Sequence, residues 1–164
     1  MYSASVPLLQ RAITSLAGVL RKGEAFAEAK KIDPAVLLQS RLAPDMFSLV
    51  RQVQSVSDNA KGCVARLAGV KAPAFPDEET TFAQLQDRLA RTLEFVGGFT
   101  PAQIDGSEER EVVLTFRTGN VTFTGYSYWA TFVMPNLYFH CTTAYAILRH
   151  NGVEVGKMDF IGAP

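Results

Sequence analysis

TGYSYWATFVMPNLYFHCTTAYAILRHNG, residues 124–152, reads as one long, nearly all-apolar helix with a few polar residues on its inner face. At helical spacing, Trp129, Val133, His140, Thr143 and Ile147 all fall within about 60° of Asn136. Leu137, Tyr138, Cys141, Tyr145 and Leu148 cover much of the remaining circumference. A helix apolar on all sides is buried on more than one of them. Pro135 lacks the N–H that a helix interior requires, so a kink is expected beside Asn136 and one turn before His140. Asn151-Gly152 then supplies a left-handed stop.

The kink sets irregular backbone next to the two inward polar residues, Asn136 and His140. Two readings stay open. In the structural one, His140 is a hydrogen-bonded core histidine and Asn136 serves carbonyls freed by Pro135, since buried polar groups are normally paired. In the functional one, the same residues line a site.

Outward from this stretch, the chain adds three more long helical patterns. The first starts near Ser5 with Pro7 in its first turn, and its stripe is Leu9, Ile13, Leu16 and Leu20. Gly23 is expected to bend or end it, with EAFAEAKK resuming the helix. Asp33-Pro34 caps a short helical segment, AVLLQSRL. The second long helix is expected from Met46 to about Leu67, with Asp45 in front of it and Gly69 as its stop. Asp45, Leu49, Gln52, Val56, Ala60, Cys63 and Leu67 then share one stripe, which turns Asp45 and Gln52 toward the core. Asp45 could equally be a dipole-favoured cap, and Gln52 an interhelical hydrogen bond.

Lys71–Glu79 is proline-punctuated and acidic, the pattern of a surface connection. Thr81-x-x-Gln84 is a capping box for the third helix, whose stripe is Phe82, Leu85, Leu89, Leu93 and Val96 and which Gly97-Gly98 ends. Thr100-Pro101 starts one extra turn. Arg110–Phe116 and Val121–Phe123 alternate around Thr118-Gly119-Asn120, a small β-hairpin that must pack on the helices to persist. The tail after Gly152 has no usable periodicity. These patterns predict an all-α fold, a single helical-bundle domain over residues 1–164, with a small hairpin before the last helix.

Composition narrows the function classes. A formal net charge of zero with 20% charged residues gives no nucleic-acid footprint. Two cysteines, Cys63 and Cys141, sit in separate apolar patterns and form neither a metal spacing nor a disulfide framework, which suits a reducing cytoplasm. No signal peptide and no membrane span are expected. GxGxxG, a phosphate-binding loop, GxSxG and CxxC are all absent. The two histidines, His140 and His150, stand roughly 15 Å apart along one helix, too far to share a metal. His150 suits the negative end of the helix dipole. The runs Asp77-Glu78-Glu79 and Glu108-Glu109-Arg110-Glu111 read as solvated charge.

The ending NLYFHCTTAYAILRHNG, residues 136–152, resembles the last helix of the DinB/YfiT-like metalloenzyme superfamily. With KIDPAVLLQSRLAPDMFSLVRQVQ in the second helix, nearly the whole chain resembles a bacterial family within it, known as a domain of unknown function. The resemblance implies an up-down-down-up four-helix bundle, a homodimer, and a divalent-metal site of three histidines used by thiol-dependent transferases and isomerases. One of those histidines comes from the second helix, and an HxxxH pair comes from the fourth. His140 matches the second member of the pair, Asn136 stands where the first is expected, and the second helix offers only Asp45 or Gln52.

Zinc takes at least three nitrogen, sulfur or carboxylate ligands, and neutral amides replace them poorly. No metal ligand is therefore assigned. An Asp45–His140 pair either holds a loosely bound zinc or nickel ion or forms a metal-free hydrogen bond with the carboxylate raising the imidazole's basicity. The expected site has His140 and Asp45 as catalytic groups and Gln52, Asn136, Trp129 and Thr143 as binding groups, with a small molecule as the ligand. The competing expectations are a non-catalytic dimeric scaffold, with Tyr138 and Tyr145 against a partner subunit, and a metal-dependent transferase.

Overall fold

Leu9, Ile13, Leu16 and Leu20 form the buried face of α1, Tyr2–Lys30. The structure is a computed structural model describing residues 1–162; Ala163 and Pro164, the end of the expected 1–164 domain, lie outside the described residues. Helix α1 runs unbroken through Gly23, contrary to the expected bend. A Cβ at Gly23 would come within 2.9 Å of Leu148 Cδ2 and 3.5 Å of Phe82 Cε1. The glycine permits close packing of neighbouring helices; it does not interrupt this one.

Asp33 caps α2, Pro34–Gln39, accepting a 2.9 Å hydrogen bond from the Ala35 N–H. Helix α3, Leu49–Ala68, starts later than the expected Met46. The Leu49 N–H donates to the Ser40 carbonyl at 2.9 Å, so residues 41–48 loop outward between two anchored ends. Asp45 falls in an exposed turn of that loop, neither on the helix nor capping it. Gly69 closes α3 with φ 72°, as a left-handed stop should.

Helix α4, Phe82–Gly97, opens with the expected capping box: the Gln84 N–H donates to Thr81 Oγ1 at 3.2 Å, and the Thr81 N–H to Gln84 Oε1 at 3.1 Å. The connection before it runs back along α3, with the Pro73 carbonyl on Lys61, Glu79 on Gln54 and Asp77 on Arg51. Asp77 and Glu79 are therefore not simply solvated, as their sequence suggests. Arg88 of α4 is fully buried and pairs with Asp58 at 2.9 Å, Asp77 at 3.0 Å and Glu79 at 3.0 Å. Its place between Leu85 and Leu89 puts a cation on the inner stripe, and the acids come in to meet it.

After α5, Pro101–Ile104, strands β1, Glu111–Phe116, and β2, Gly119–Thr124, pair antiparallel with Phe116 opposite Gly119 and Glu111 opposite Thr124. Val112 and Leu114 turn into the core. The organising stretch then divides into α6, Gly125–Ser127, a π-helical segment, Tyr128–Val133, and α7, Met134–His150. The expected irregularity is present, spread over the turns before Pro135 as a widened helix. Side-chain amides serve its carbonyls: Asn136 Nδ2 donates to Phe132 O at 2.7 Å and Asn59 Nδ2 to Val133 O at 2.9 Å. The tail forms one further helix, α8, Lys157–Ile161, held by Lys22 on Asp159 at 2.7 Å and Arg11 on the Ile161 carbonyl at 2.9 Å.

The described chain is thus mainly helical, with one two-stranded sheet. Helix α3 packs on α7 and α4, and α1 packs on α4 and α7. No described helix is long and apolar enough to cross a membrane. At the join of β2 and α6, Gly125 is buried, and a Cβ there would meet the Ser107 carbonyl oxygen at 2.0 Å. Backbone cannot swing aside as a side chain can. Gly125→Ala is expected to lower the unfolding free energy by about 2 kcal/mol, measured by urea denaturation.

A candidate functional site between α3 and α7

Gln52 sits one turn inside α3, fully buried, and His140 sits opposite it on α7, half-buried. His140 Nδ1 and Gln52 Oε1 are 2.7 Å apart. Gln52 Nε2 donates to the Phe47 carbonyl at 3.1 Å, which fixes the amide orientation: reversed, it would set oxygen against oxygen. The oxygen facing His140 can only accept, so Nδ1 carries the proton. In the neutral imidazole Nε2 is then the lone-pair nitrogen.

Two rings flank the imidazole. Phe47 stacks near-parallel at 6.5 Å between centroids, and Phe139 meets it edge-on at 5.3 Å. Burial, and to a lesser extent the Arg51 cation, hold the His140 pKa below its ordinary 6.5. A depressed histidine pKa means that the unfolded chain takes up a proton first on acidification. Stability contributed by neutral His140 is therefore fully present above 6.5 and declines below it until the folded-state pKa is reached. His140→Gln is expected to flatten this part of the stability profile, read as urea midpoints across the acidic range.

His140 and Asn136 line a cleft of about 670 Å³, within the usual range for ligand pockets. Its floor is the outer face of α3, including Arg51, Ser55, Asn59 and Arg66; its walls include Thr115 and Phe116 of β1 and Tyr128 and Phe132 of the π-helical segment. Arg66 Nη1 donates to Tyr128 Oη at 3.1 Å. Burial pushes the Tyr128 phenol up to about 12, so it remains neutral.

Other expected site residues lie elsewhere. Asp45 is exposed in its turn, and the amide of Gln52 occupies the place expected for its carboxylate. The reason is the outward loop at 41–48, which removes Asp45 from the α3 stripe. Trp129 lies outside the cleft lining and packs against Tyr126 at 5.9 Å, because the π-helical turn shifts the phase of everything before Pro135. Thr143 is buried and hydrogen-bonds its own helix, Oγ1 to the Phe139 carbonyl at 2.7 Å. Sequence reasoning missed Arg51, Asn59, Arg66 and Tyr128. The signal available was Gln52, Asn59 and Arg66 at seven-residue intervals, two turns apart on one face.

A mainly apolar cavity of about 220 Å³ lies on the far side, between α1, α7 and α8, with Leu16, Tyr138, Cys141 and Phe160 in its lining. Burial raises the Cys141 and Cys63 thiols to about 12, so neither supplies a thiolate nucleophile near neutral pH. The metal implied by the family resemblance does not fit the donor set. Among the described residues, no three His, Cys, Asp or Glu side chains come together, and the cleft offers one imidazole nitrogen, amides and the single carboxylate of Asp58, which Lys61 and Arg88 already hold.

Residues 1–161 match the model of a family described as a domain of unknown function, DUF1993. The chain belongs to the DUF1993 family. It is also similar to a crystal structure of a DinB family member protein from Shewanella denitrificans, 46% identical, with a TM-score of 0.94 over 99% of this chain and 92% of that one. Together these make it a DinB-like DUF1993 protein, in agreement with the resemblance carried by its last helix. No curated protein matches it.

Proposed function

We propose that this DUF1993 protein binds a small molecule in the α3–α7 cleft, with His140 Nε2 as a hydrogen-bond acceptor and Asn136 beside it. The observation that carries this reading is the Gln52–His140 hydrogen bond, which leaves Nε2 without a partner among the described residues in the lining of an open cleft. Binding is favoured over proton transfer by the partner's chemistry. A carboxylate on Nδ1 would stabilise the imidazolium, whereas a neutral amide does not, and Arg51 opposes it. Fragment screening by ligand-observed NMR tests the proposal. Hits should vanish with His140→Ala and persist with Tyr138→Ala, which alters the far cavity; hits indifferent to His140 would reject the site.

The proposal extends to an up-down-down-up bundle. Gln86 on Ala17, and Gly23 beside Phe82, support antiparallel α1 and α4; Gln52 on His140, and Arg66 on Tyr128, support antiparallel α3 and α7.

A homodimer is the second reading, favoured by the exposed apolar side chains Tyr138, Met158 and Ile161 near α1 and α8. Tyr145, expected at that interface, is half-buried under α8, with Phe160 edge-on at 5.9 Å and its hydroxyl donating to the Val155 carbonyl. Light scattering at micromolar concentration should give twice the 17.9 kDa chain mass, and a monomer would remove the reading.

A further inference from the structure

Three cations on or against α3 are paired with acids. Arg51, Lys61 and Arg88 are matched by Asp58, Asp77 and Glu79: Arg51 pairs with Asp77, Lys61 with Asp58 at 3.0 Å, and Arg88 with all three acids. Arg66 lines the same cleft and has no carboxylate within salt-bridge distance among the described residues. Its contacts are with a neutral phenol: the 3.1 Å hydrogen bond to Tyr128 Oη and a guanidinium carbon 5.7 Å from that ring. Tyr128 is itself buried, so it holds one arm of the guanidinium fork on a fixed support, and the fork makes no other hydrogen bond among the described residues.

We infer that the cleft takes an elongated organic anion, with Arg66 anchoring its carboxylate, sulfonate or phosphate group. The inference rests on the cleft being the binding site. Arginine is suited to this role because its planar donors match such oxyanions in pairs. The body of the ligand lies toward Phe116 and Phe132, which give the wall an apolar aromatic surface between the charged end and His140. Residues 52 and 66 are about 21 Å apart along α3, so a ligand engaging both Arg66 and His140 must be long. His140 is neutral and accepting at Nε2, which calls for a donor group, such as a hydroxyl or amide N–H, at the ligand's other end. A second anionic group is not required there, because Arg51 already has its acid.

Two fluorescent probes of nearly the same shape separate charge from shape: 8-anilinonaphthalene-1-sulfonate and uncharged N-phenyl-1-naphthylamine. Binding is titrated to the full chain as wild type, Arg66→Gln, Arg66→Lys, Arg11→Gln and His140→Ala. The expected result is a preference for the sulfonate of about ten-fold, the size of one charge-assisted hydrogen-bonded contact. Arg66→Gln should abolish the preference while leaving the neutral probe unchanged, and Arg66→Lys should keep part of it. Arg11→Gln, in the far cavity's lining, should keep all of it. Raising salt from about 0.01 M to about 1 M should weaken the sulfonate alone. A sulfonate preference that survives Arg66→Gln, or no preference at all while His140→Ala still weakens both probes, overturns the anion inference and leaves the cleft intact. Binding of both probes that ignores both His140→Ala and Arg66→Gln overturns the cleft reading, and the inference with it.

Discussion

Arg88→Met is expected to lower the unfolding free energy by about 3 kcal/mol and Tm by about 6–12 °C. Arg88 has no exposed surface, and its guanidinium meets Asp58, Asp77, Glu79 and the Pro76 carbonyl. Asp58 and Asp77 are 47% and 39% exposed, so water can take over much of the lost interaction for both. Glu79 is 11% exposed and is left as a nearly buried charge with Gln54 as its remaining side-chain donor. In the wild type burial pushes the Glu79 carboxyl upward, but hydrogen bonds from Gln54 and Arg88 outweigh it and hold the pKa below the ordinary 4.5. A depressed carboxyl contributes stability that is present above 4.5 and lost as pH falls through the folded-state value. Arg88→Met should erase that acid-side decline. Adding Glu79→Gln should recover part of the loss, because the stranded charge is then gone. Calorimetric melting of the two single variants and the double variant checks this. Equal or additive losses would mean that the cluster is solvated and that the 70–81 connection is held by packing alone.

Gln52→Leu is the second large effect, with an expected stability loss of about 2 kcal/mol. The substitution keeps an apolar-compatible volume in α3 but deletes both bonds of the amide, to His140 Nδ1 and to the Phe47 carbonyl. The half-buried Nδ1–H then lacks its acceptor, and the imidazole is free to change tautomer. Cleft ligands should weaken along with stability. Gln52→Glu provides the opposite perturbation: a carboxylate against Nδ1 should raise the His140 pKa, reversing the depression caused by burial and Arg51. An NMR titration showing the same His140 pKa in wild type and Gln52→Glu would mean that the hydrogen bond is not formed in solution.

Much of this molecule was readable from local chemistry. The Thr81–Gln84 capping box, the Gly69 stop and the alternating hairpin each depend on neighbours in sequence, and each formed where its residues stood. Asn136 and His140 share one side of α7, as the helical period requires, and both line the cleft. What failed depended on distant contacts. Asp45 lost its place on the α3 stripe because a hydrogen bond from Leu49 to Ser40 starts the helix later. Trp129 lost its phase because the helix widens before Pro135, and periodicity at 3.6 residues cannot register a π-helical turn. Gly23 looked like a breaker because the approach of Leu148 is visible only in three dimensions. Asp77 and Glu79 looked solvated because a run of charge carries no record of the buried cation that packs on it.

The chain contains two histidines, so His150→Gln leaves His140 as a single imidazole to observe. A long-range ¹H–¹⁵N correlation spectrum of that variant, recorded from neutral to acidic pH, reads its tautomer and its pKa together. The structure predicts a proton on Nδ1, a bare Nε2 and a midpoint below 6.5. A proton on Nε2, or a midpoint above 6.5, would contradict the oriented acceptor on which the proposed binding site depends.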